Sequence, residues 1–250
     1  MKKTSLLLGL CTVLLCLPVV AAEAVDPAPA TTVASDGNLK ARPLWYQQCE
    51  ARVAAMKGKP CDVIFIGDSI TENFINEPSE KWTNVGITVW KKYYADRRVL
   101  NFGVGADATQ HTLWRLEHME VAEFRPKVAV VLLGTNNTRN TPDEIVAGVK
   151  AVLEKTQRLF PGVKVILVSI LPNRRATQKM ADANLGLRKL GDDKTVFYFD
   201  LASKMTPEGD SWKGLGGDKL HLSPEGYELW ASEMEPLLTR LLAAPRAAPQ

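Results

Sequence analysis

Short apolar runs, separated by longer amphipathic stretches, recur along the chain. The runs are rich in β-branched and aromatic residues and do not alternate cleanly between polar and apolar positions, which is typical of parallel strands covered on both faces. The predicted strands span residues 61–66, 98–102, 127–133, 163–170 and 196–199. The predicted helices span residues 40–57, 83–95, 108–118, 142–160, 176–190 and 224–242.

The alternation of these strands and helices predicts the fold class. Repeated β-α-β units have right-handed crossovers, which place helices on both faces of one parallel sheet. We therefore predict a three-layer α/β/α sandwich. Five strands suit the flavodoxin-like order 2-1-3-4-5.

The two ends of the chain fall outside this pattern. Lys2 and Lys3 precede an apolar stretch that is too short to span a bilayer comfortably, and a small-x-small cleavage site follows it. We predict a bacterial-type signal peptide over residues 1–24, and hence export to the periplasm or the exterior without stable membrane insertion; a retained membrane anchor is the alternative. A Pro-, Ala- and Thr-rich linker over residues 25–38, one domain over 39–243 and a loose tail over 244–250 complete the prediction.

Charge and cysteine usage exclude some classes of function. The formal charge is +3, from 31 basic and 28 acidic residues, and no basic stripe indicates a nucleic-acid partner. The chain has no CxxC, no clustered Cys/His set and no HExxH, so we predict neither a metal nor a cofactor. Cys49 and Cys61 remain after signal cleavage, and the sequence leaves open whether they form a disulfide or stay as buried thiols.

Residues suited to catalysis are concentrated in four segments at predicted strand ends or in loops. They are residues 67–69 (GDS), 101–107 (NFGVGAD), 134–137 (GTNN) and 218–224 (DKLHLSP). Open α/β sheets bind ligands at the carboxyl ends of their strands, so Ser69 is a candidate nucleophile. Gly-Asp-Ser is also ordinary turn and helix-cap chemistry, which is the competing interpretation.

The other segments contain the groups that a nucleophilic serine needs. Asp218 lies three residues before His221, so it can orient the imidazole while the other ring nitrogen faces Ser69. A backbone N–H of Gly103 and the side-chain amide of Asn136 are candidate donors to an oxyanion. The alternatives are that Asp218 and His221 are solvated surface residues, that Gly103 is a turn glycine and that Asn136 forms an Asx turn. We interpret His111 and His118 as structural or surface residues and Trp114 as a core residue.

The four segments together resemble the SGNH hydrolases, also called the GDSL family. The matching residues, block by block, are Gly67-Asp68-Ser69, Gly103, Gly134-Thr135-Asn136 and Asp218-x-x-His221. Residues 101–116 and 134–137 are similar to the catalytic subunits of platelet-activating-factor acetylhydrolase and their secreted bacterial relatives. This sequence departs from the family pattern at Ile70, at Ala106 (where many members have glycine) and at Asn137.

The resemblance implies a flavodoxin-like fold and ester hydrolysis without a metal or cofactor. It implies a catalytic triad of Ser69, Asp218 and His221. It also implies an oxyanion hole made by Ser69, Gly103 and Asn136. The supporting residues it implies are Asp68, Asn101 and Asn137.

We therefore expect a secreted serine esterase that removes small acyl groups, acetyl in particular, from O-acetylated carbohydrate. The alternatives are a lipid or lysophospholipid esterase and, in a different class, a non-catalytic glycan-binding module. Specificity is expected from residues 74–90, where Phe74, Trp82 and Trp90 either stack on a sugar or pack against the domain. The expected partner is a small-molecule or glycan ester, and the sequence predicts no oligomeric state.

Overall fold

A central parallel sheet of five strands organises the computed structural model, which describes residues 29–244. The strands are β1 (Val63–Gly67), β2 (Val99–Gly103), β3 (Val128–Leu132), β4 (Lys164–Val168) and β5 (Val196–Phe199). Their order is β2-β1-β3-β4-β5. The predicted α/β fold and strand order are confirmed. The predicted signal peptide, residues 25–28 of the predicted linker and residues 245–250 of the predicted tail lie outside the described residues.

The sheet is buried on both faces, as the strand composition indicates. Every residue of β1 and β3 is buried. Successive side chains of a strand point to opposite faces, so Ile64 and Ile66 enter one hydrophobic core while Val63 and Phe65 enter the other. The sheet is thus the wall between two cores, and its position fixes where each strand ends.

Helices cover both faces. The helices are α1 (Gly37–Ala41), α2 (Pro43–Met56), α3 (Ser69–Glu72), α4 (Ile87–Tyr94), α5 (Thr109–His118), α6 (Pro142–Leu159), α7 (Thr177–Arg188) and α8 (Pro224–Ala243). Helices α2, α5, α6 and α7 pack in one core, and α4 and α8 pack in the other. The six predicted helices are present. None of the helices within residues 29–244 has both the length and the apolar composition needed to cross a membrane.

Some short elements were not predicted. Helices α1 and α3 have five and four residues, too few for a periodic pattern. A two-stranded antiparallel hairpin joins β6 (Pro207–Glu208) to β7 (Ser211–Trp212). Strands of two residues are likewise too short to show a pattern of polar and apolar positions.

Residues 29–38 pack on the domain, although they belong to the predicted flexible linker. Thr31 is fully buried and its hydroxyl donates to the carbonyl of Glu144 at 2.8 Å. The buried amide of Asn38 donates to the carboxylate of Asp107 at 2.5 Å. The linker prediction is wrong for these residues, because composition describes local preferences and these hydrogen bonds join positions far apart in the sequence.

Cys49 and Cys61 are both free and buried. Burial raises the pKa of the Cys61 thiol to about 11 and also raises the pKa of Cys49. A buried thiol with a raised pKa is a poor nucleophile. Of the two possibilities that the sequence left open, the structure contains the buried thiols.

Candidate active site

The four segments identified in the sequence lie together at the carboxyl edge of the sheet. Strand β1 lies between β2 and β3, and its last residue, Gly67, pairs with Gly103 on one side and Leu132 on the other. The segments that follow these three strands are therefore neighbours. The fourth segment, residues 218–224, reaches this edge from the loop before α8.

Three of the predicted residues form a continuous chain of hydrogen bonds. Ser69 Oγ lies 2.8 Å from His221 Nε2, and His221 Nδ1 lies 2.6 Å from Asp218 Oδ2. Ser69 is 152 positions from His221, so only the fold brings them together. A hydroxyl, an imidazole and a carboxylate in this order form the arrangement that activates a serine nucleophile.

Helix α3 presents Ser69 at its first position. Asp68 is the N-cap, and its Oδ1 accepts a hydrogen bond from the N–H of Ile70 at 2.9 Å. The helix-cap and nucleophile interpretations of Gly-Asp-Ser are therefore compatible, because Asp68 is the cap and leaves the Ser69 hydroxyl free for His221. The N–H of Ser69 lies in the first turn, where a helix has no internal acceptor.

Asp218 is held as an ionised acceptor. Its Oδ1 accepts from the N–H of His221 at 3.0 Å and from the N–H of Leu220 at 3.2 Å. Partial burial acts to raise the pKa of this carboxyl, but the hydrogen bonds from the His221 side chain and backbone outweigh it and hold the pKa below its usual value. The carboxylate therefore stays charged at neutral pH and orients the imidazole.

The loop between α3 and α4 supports this pair with two residues that the sequence did not single out for that role. Asn84 Nδ2 donates to Asp218 Oδ1 at 3.3 Å. The Trp82 ring stands edge-on to the His221 ring, with 5.0 Å between centroids. Phe74 and Trp90, in contrast, pack in the core. No sequence pattern marks Asn84, because its partner is 134 positions away.

Asn136 lies on the loop after β3 and lines the same cavity as Ser69. Its Nδ2 donates to the Asp107 carbonyl at 2.9 Å and lies 3.4 Å from Asp68 Oδ2. The second contact is long, so one amide hydrogen remains available for a substrate oxygen. Asn137 is buried and its Oδ1 accepts from the N–H of Thr109 at 3.2 Å. Asn137 therefore fixes the start of α5 against this loop.

Asp68 is a buried acid next to these groups. Complete burial raises the pKa of its carboxyl to about 7, and the nearby charge of Asp107 adds to the increase. The N–H of Ile70 opposes this shift. Asp68 therefore titrates near neutral pH.

Gly103 does not offer its N–H to a ligand. That N–H donates to Asn101 Oδ1 at 2.9 Å, and Asn101 Nδ2 donates to the Thr71 carbonyl at 2.7 Å. A Cβ at position 103 would lie 2.5 Å from the backbone nitrogen of Glu72. The prediction of Gly103 as an oxyanion donor is wrong: the glycine lets β2 approach α3 closely, and its N–H bonds within its own strand.

Ala106 has the features expected of that donor. It lines the same cavity as Ser69, Asn136 and His221. Its N–H has no hydrogen-bond partner within residues 29–244. Its φ is +58°, a left-handed conformation that costs a residue with a Cβ about 1–2 kcal/mol. The sequence signal was the alanine at a position where many family members have glycine.

A buried ion pair holds the turn that contains Ala106. The carboxylate of Asp107 accepts from Arg115 Nε at 2.6 Å and from the Tyr46 hydroxyl at 2.8 Å, in addition to its bond from Asn38. Asp107 and Arg115 are both fully buried. The turn thus ends on a residue whose side chain has several fixed partners.

The same guanidinium also binds the ends of two strands. Arg115 Nη1 donates to the carbonyl of Phe102 at 2.6 Å, and Nη2 donates to the carbonyl of Gly67 at 3.1 Å. On the other side of the turn, the N–H of Gly105 donates to Glu72 Oε2 at 2.8 Å. These contacts fix the segments that contain Ser69 and Ala106 relative to each other.

An open cavity of about 570 Å³ is lined in part by Ser69. Its lining includes Ser69, Ala106, Asn136 and His221, together with Arg42, Trp45, His111 and Arg175. A second cavity of about 280 Å³ shares Ser69, Trp45 and His221 with it and is bordered by Trp82. Within residues 29–244 no group of three or more His, Cys, Asp or Glu side chains is placed to hold a metal ion.

The pattern of the GDSL-like lipase/acylhydrolase family matches residues 65–229, which is well over half of the chain and contains all four segments. The chain belongs to this family. The predicted family and the predicted class of enzyme, an ester hydrolase, are both confirmed. In this GDSL-type enzyme the matched region begins inside β1 and ends inside α8.

Individual relatives agree with this assignment. The chain is 31% identical to platelet-activating factor acetylhydrolase IB subunit alpha1 from Rattus norvegicus over 226 residues, 88% of this chain and 90% of the relative. A lipase/acylhydrolase from Enterococcus faecalis superposes with a TM-score of 0.57 at 22% identity, covering 75% of this chain and all of the other. An acetyl xylan esterase, AlAXEase, superposes with a TM-score of 0.55 at 21% identity, covering 71% and 99%. The two structures share the fold.

We predict that Arg115→Met destabilises the protein by about 3–5 kcal/mol, because it leaves the Asp107 carboxylate buried without its cation. The control is Arg98→Met, which breaks an exposed ion pair with Asp62 and is expected to cost at most about 1 kcal/mol. Urea unfolding measures both variants. Equal losses in the two variants would contradict the role given to the buried pair.

We predict that Ala106→Gly raises the free energy of unfolding by about 0.5–1 kcal/mol, because glycine adopts the left-handed conformation without strain. Turnover of an aryl acetate is retained, because the N–H remains. Ala106→Val lowers stability, since a β-branched residue tolerates this conformation worst. Gly103→Ala serves as a comparison and is expected to be strongly destabilised by its backbone clash. A stabilised Ala106→Val protein would show that the turn is not strained.

Proposed function

We propose that this GDSL-type enzyme is an exported serine esterase that removes acetyl and similarly small acyl groups from O-acetylated carbohydrate. The observation that carries the catalytic part is the hydrogen-bonded chain from Ser69 through His221 to Asp218, with distances of 2.8 and 2.6 Å. The preference for acetyl comes from the resemblance to acetylhydrolases.

The proposed reaction begins with attack of Ser69 Oγ on the ester carbonyl. His221 Nε2 takes the hydroxyl proton, and Asp218 stabilises the imidazolium that forms. The tetrahedral intermediate then collapses, and His221 gives the proton to the leaving alcohol. Water repeats the sequence on the acyl-enzyme and releases the acid, so the enzyme returns to its starting state.

Three donors stabilise the negative oxygen of the intermediate in this proposal. They are the N–H of Ser69, the N–H of Ala106 and the side-chain amide of Asn136. Ala106 takes the place that Gly103 had in the sequence-based prediction. Such donors act best when they are fixed before the substrate arrives, and the hydrogen bonds around Asp107 and Gly105 supply that fixation.

Carbohydrate is favoured by the character of the cavity. A cavity of about 570 Å³ is within the range of small-molecule sites, and most of its lining is polar. Trp45 and Trp82 border the cavities around Ser69, and indole rings are suited to contact with a sugar. Leu220 is the one long aliphatic side chain among the residues that line the larger cavity. The lining therefore offers few aliphatic side chains to a long alkyl chain.

Export follows from the predicted signal peptide, which lies outside the described residues. An exported esterase meets glycans before it meets cytosolic lipids, and this supports the carbohydrate assignment. The second candidate function is a phospholipid acetylesterase. It is favoured by the 31% identity to platelet-activating factor acetylhydrolase IB subunit alpha1.

Acetate release from a panel of acetylated glycans and acetylated phospholipids tests the proposal. We predict release from glycans by the purified mature protein, and a loss in kcat of about 10⁴-fold or more in Ser69→Ala. Asn136→Ala is expected to lose about 10²–10³-fold, because one oxyanion donor is removed. The matched control is Ser79→Ala, an exposed serine on a neighbouring loop, which should retain full activity.

Two outcomes would change this account. Full turnover by Ser69→Ala would contradict the catalytic assignment. Release from phospholipids alone would replace the carbohydrate substrate by the second candidate and leave the catalytic assignment intact.

A further inference from the structure

We propose that Arg42 and Arg175 form a subsite for an anionic group, a carboxylate or a phosphate, on the alcohol portion of the ester. The inference rests on the proposed function, because it concerns the same cavity and names the class of alcohol that this cavity takes.

The larger cavity is lined by basic side chains but by no acidic ones. Arg42 and Arg175 both contribute to it, and none of the residues that line it is an aspartate or a glutamate. Neither arginine has a carboxylate oxygen within 4.0 Å in the part of the chain that the structure describes. A ligand that enters this cavity therefore meets two guanidinium charges that no ion pair neutralises.

Both guanidinium groups are exposed, and the partners they contact are neutral. Arg42 Nη1 donates to Asn38 Oδ1 at 3.0 Å, and the group lies over the Trp45 ring at 5.1 Å from its centroid. Arg175 Nη1 donates to Asn136 Oδ1 at 3.4 Å. A guanidinium has five N–H donors, so most of them remain free in each case. An oriented fork of free donors is the geometry that binds carboxylate and phosphate groups.

The anion belongs on the alcohol side of the ester. The acyl oxygen already has three proposed donors, and the proposed acyl group is acetyl, which has no charge of its own. His111, which also lines the cavity, adds no positive charge at neutral pH, because burial lowers the pKa of its imidazole. The attraction for an anion therefore comes from the two arginines.

Arg175 has a second possible role, which the experiment must separate. Its bond to Asn136 Oδ1 could serve only to orient the amide toward the oxyanion. Such an orienting role would lower kcat/KM for every ester by the same factor. A subsite for an anion changes the ratio of kcat/KM between charged and neutral esters.

The test compares two matched pairs of acetate esters. One pair is 4-acetoxybenzoate and 4-acetoxybenzamide; the other is the monoacetates of glycerol 3-phosphate and of glycerol. We expect the ratio of kcat/KM, charged over neutral, to fall about tenfold in Arg42→Gln and in Arg175→Gln, and further in the double variant. Comparing each variant with the wild type cancels the intrinsic reactivity of the esters. Added salt should reduce the wild-type preference.

Arg174→Gln is the matched control, since Arg174 is the exposed neighbour of Arg175 and does not line the cavity. It should leave the ratio unchanged. The pair that shows the larger effect identifies the anion as a carboxylate or a phosphate. An unchanged ratio in the double variant for both pairs would overturn the subsite, as would an equal loss on charged and neutral esters.

The failure of the subsite and the failure of the proposed function are distinguishable. Cleavage of 4-nitrophenyl acetate that depends on Ser69, without any preference for charged esters, overturns the subsite alone. Cleavage that does not depend on Ser69, or no cleavage of any ester, overturns both.

Discussion

The buried ion pair between Asp107 and Arg115 is the interaction on which the site depends. Taking two charges out of water is costly and is compensated only when the hydrogen-bonding groups around them are satisfied. Here Arg115 binds carbonyls near the ends of two strands, those of Gly67 and Phe102, as well as the carboxylate, and Asp107 also binds Tyr46 and Asn38. One pair therefore joins β1, β2, α1, α2 and α5.

This arrangement explains how a strained turn persists at the cavity. Ala106 is held at a φ of +58° between two residues with fixed partners, Gly105 and Asp107. Within residues 29–244 no carbonyl accepts its N–H. A donor fixed in advance has little reorganisation to undergo when negative charge develops on the substrate, which is the physical basis of oxyanion stabilisation.

The sequence predicts the features that depend on local pattern. The buried apolar runs predict the sheet, and Gly-Asp-Ser with Asp218 and His221 predicts the hydrogen-bonded chain of side chains. It fails where a residue's role is set by distant partners. Gly103 has the spacing of a donor, but Asn101 takes its N–H. Residues 29–38 have the composition of a linker, yet Asn38 completes the shell around Asp107. Asn84 bonds Asp218 from a loop that carries no motif.

Covalent labelling with a fluorophosphonate probe, followed by intact-mass measurement and peptide mapping, tests whether Ser69 is the nucleophile. We expect one label on the wild-type protein, at Ser69, and strongly slowed labelling in His221→Ala, because the serine then has no base. Labelling at another residue, no labelling of the folded wild type, or labelling of Ser69 at an unchanged rate without His221 would contradict this assignment.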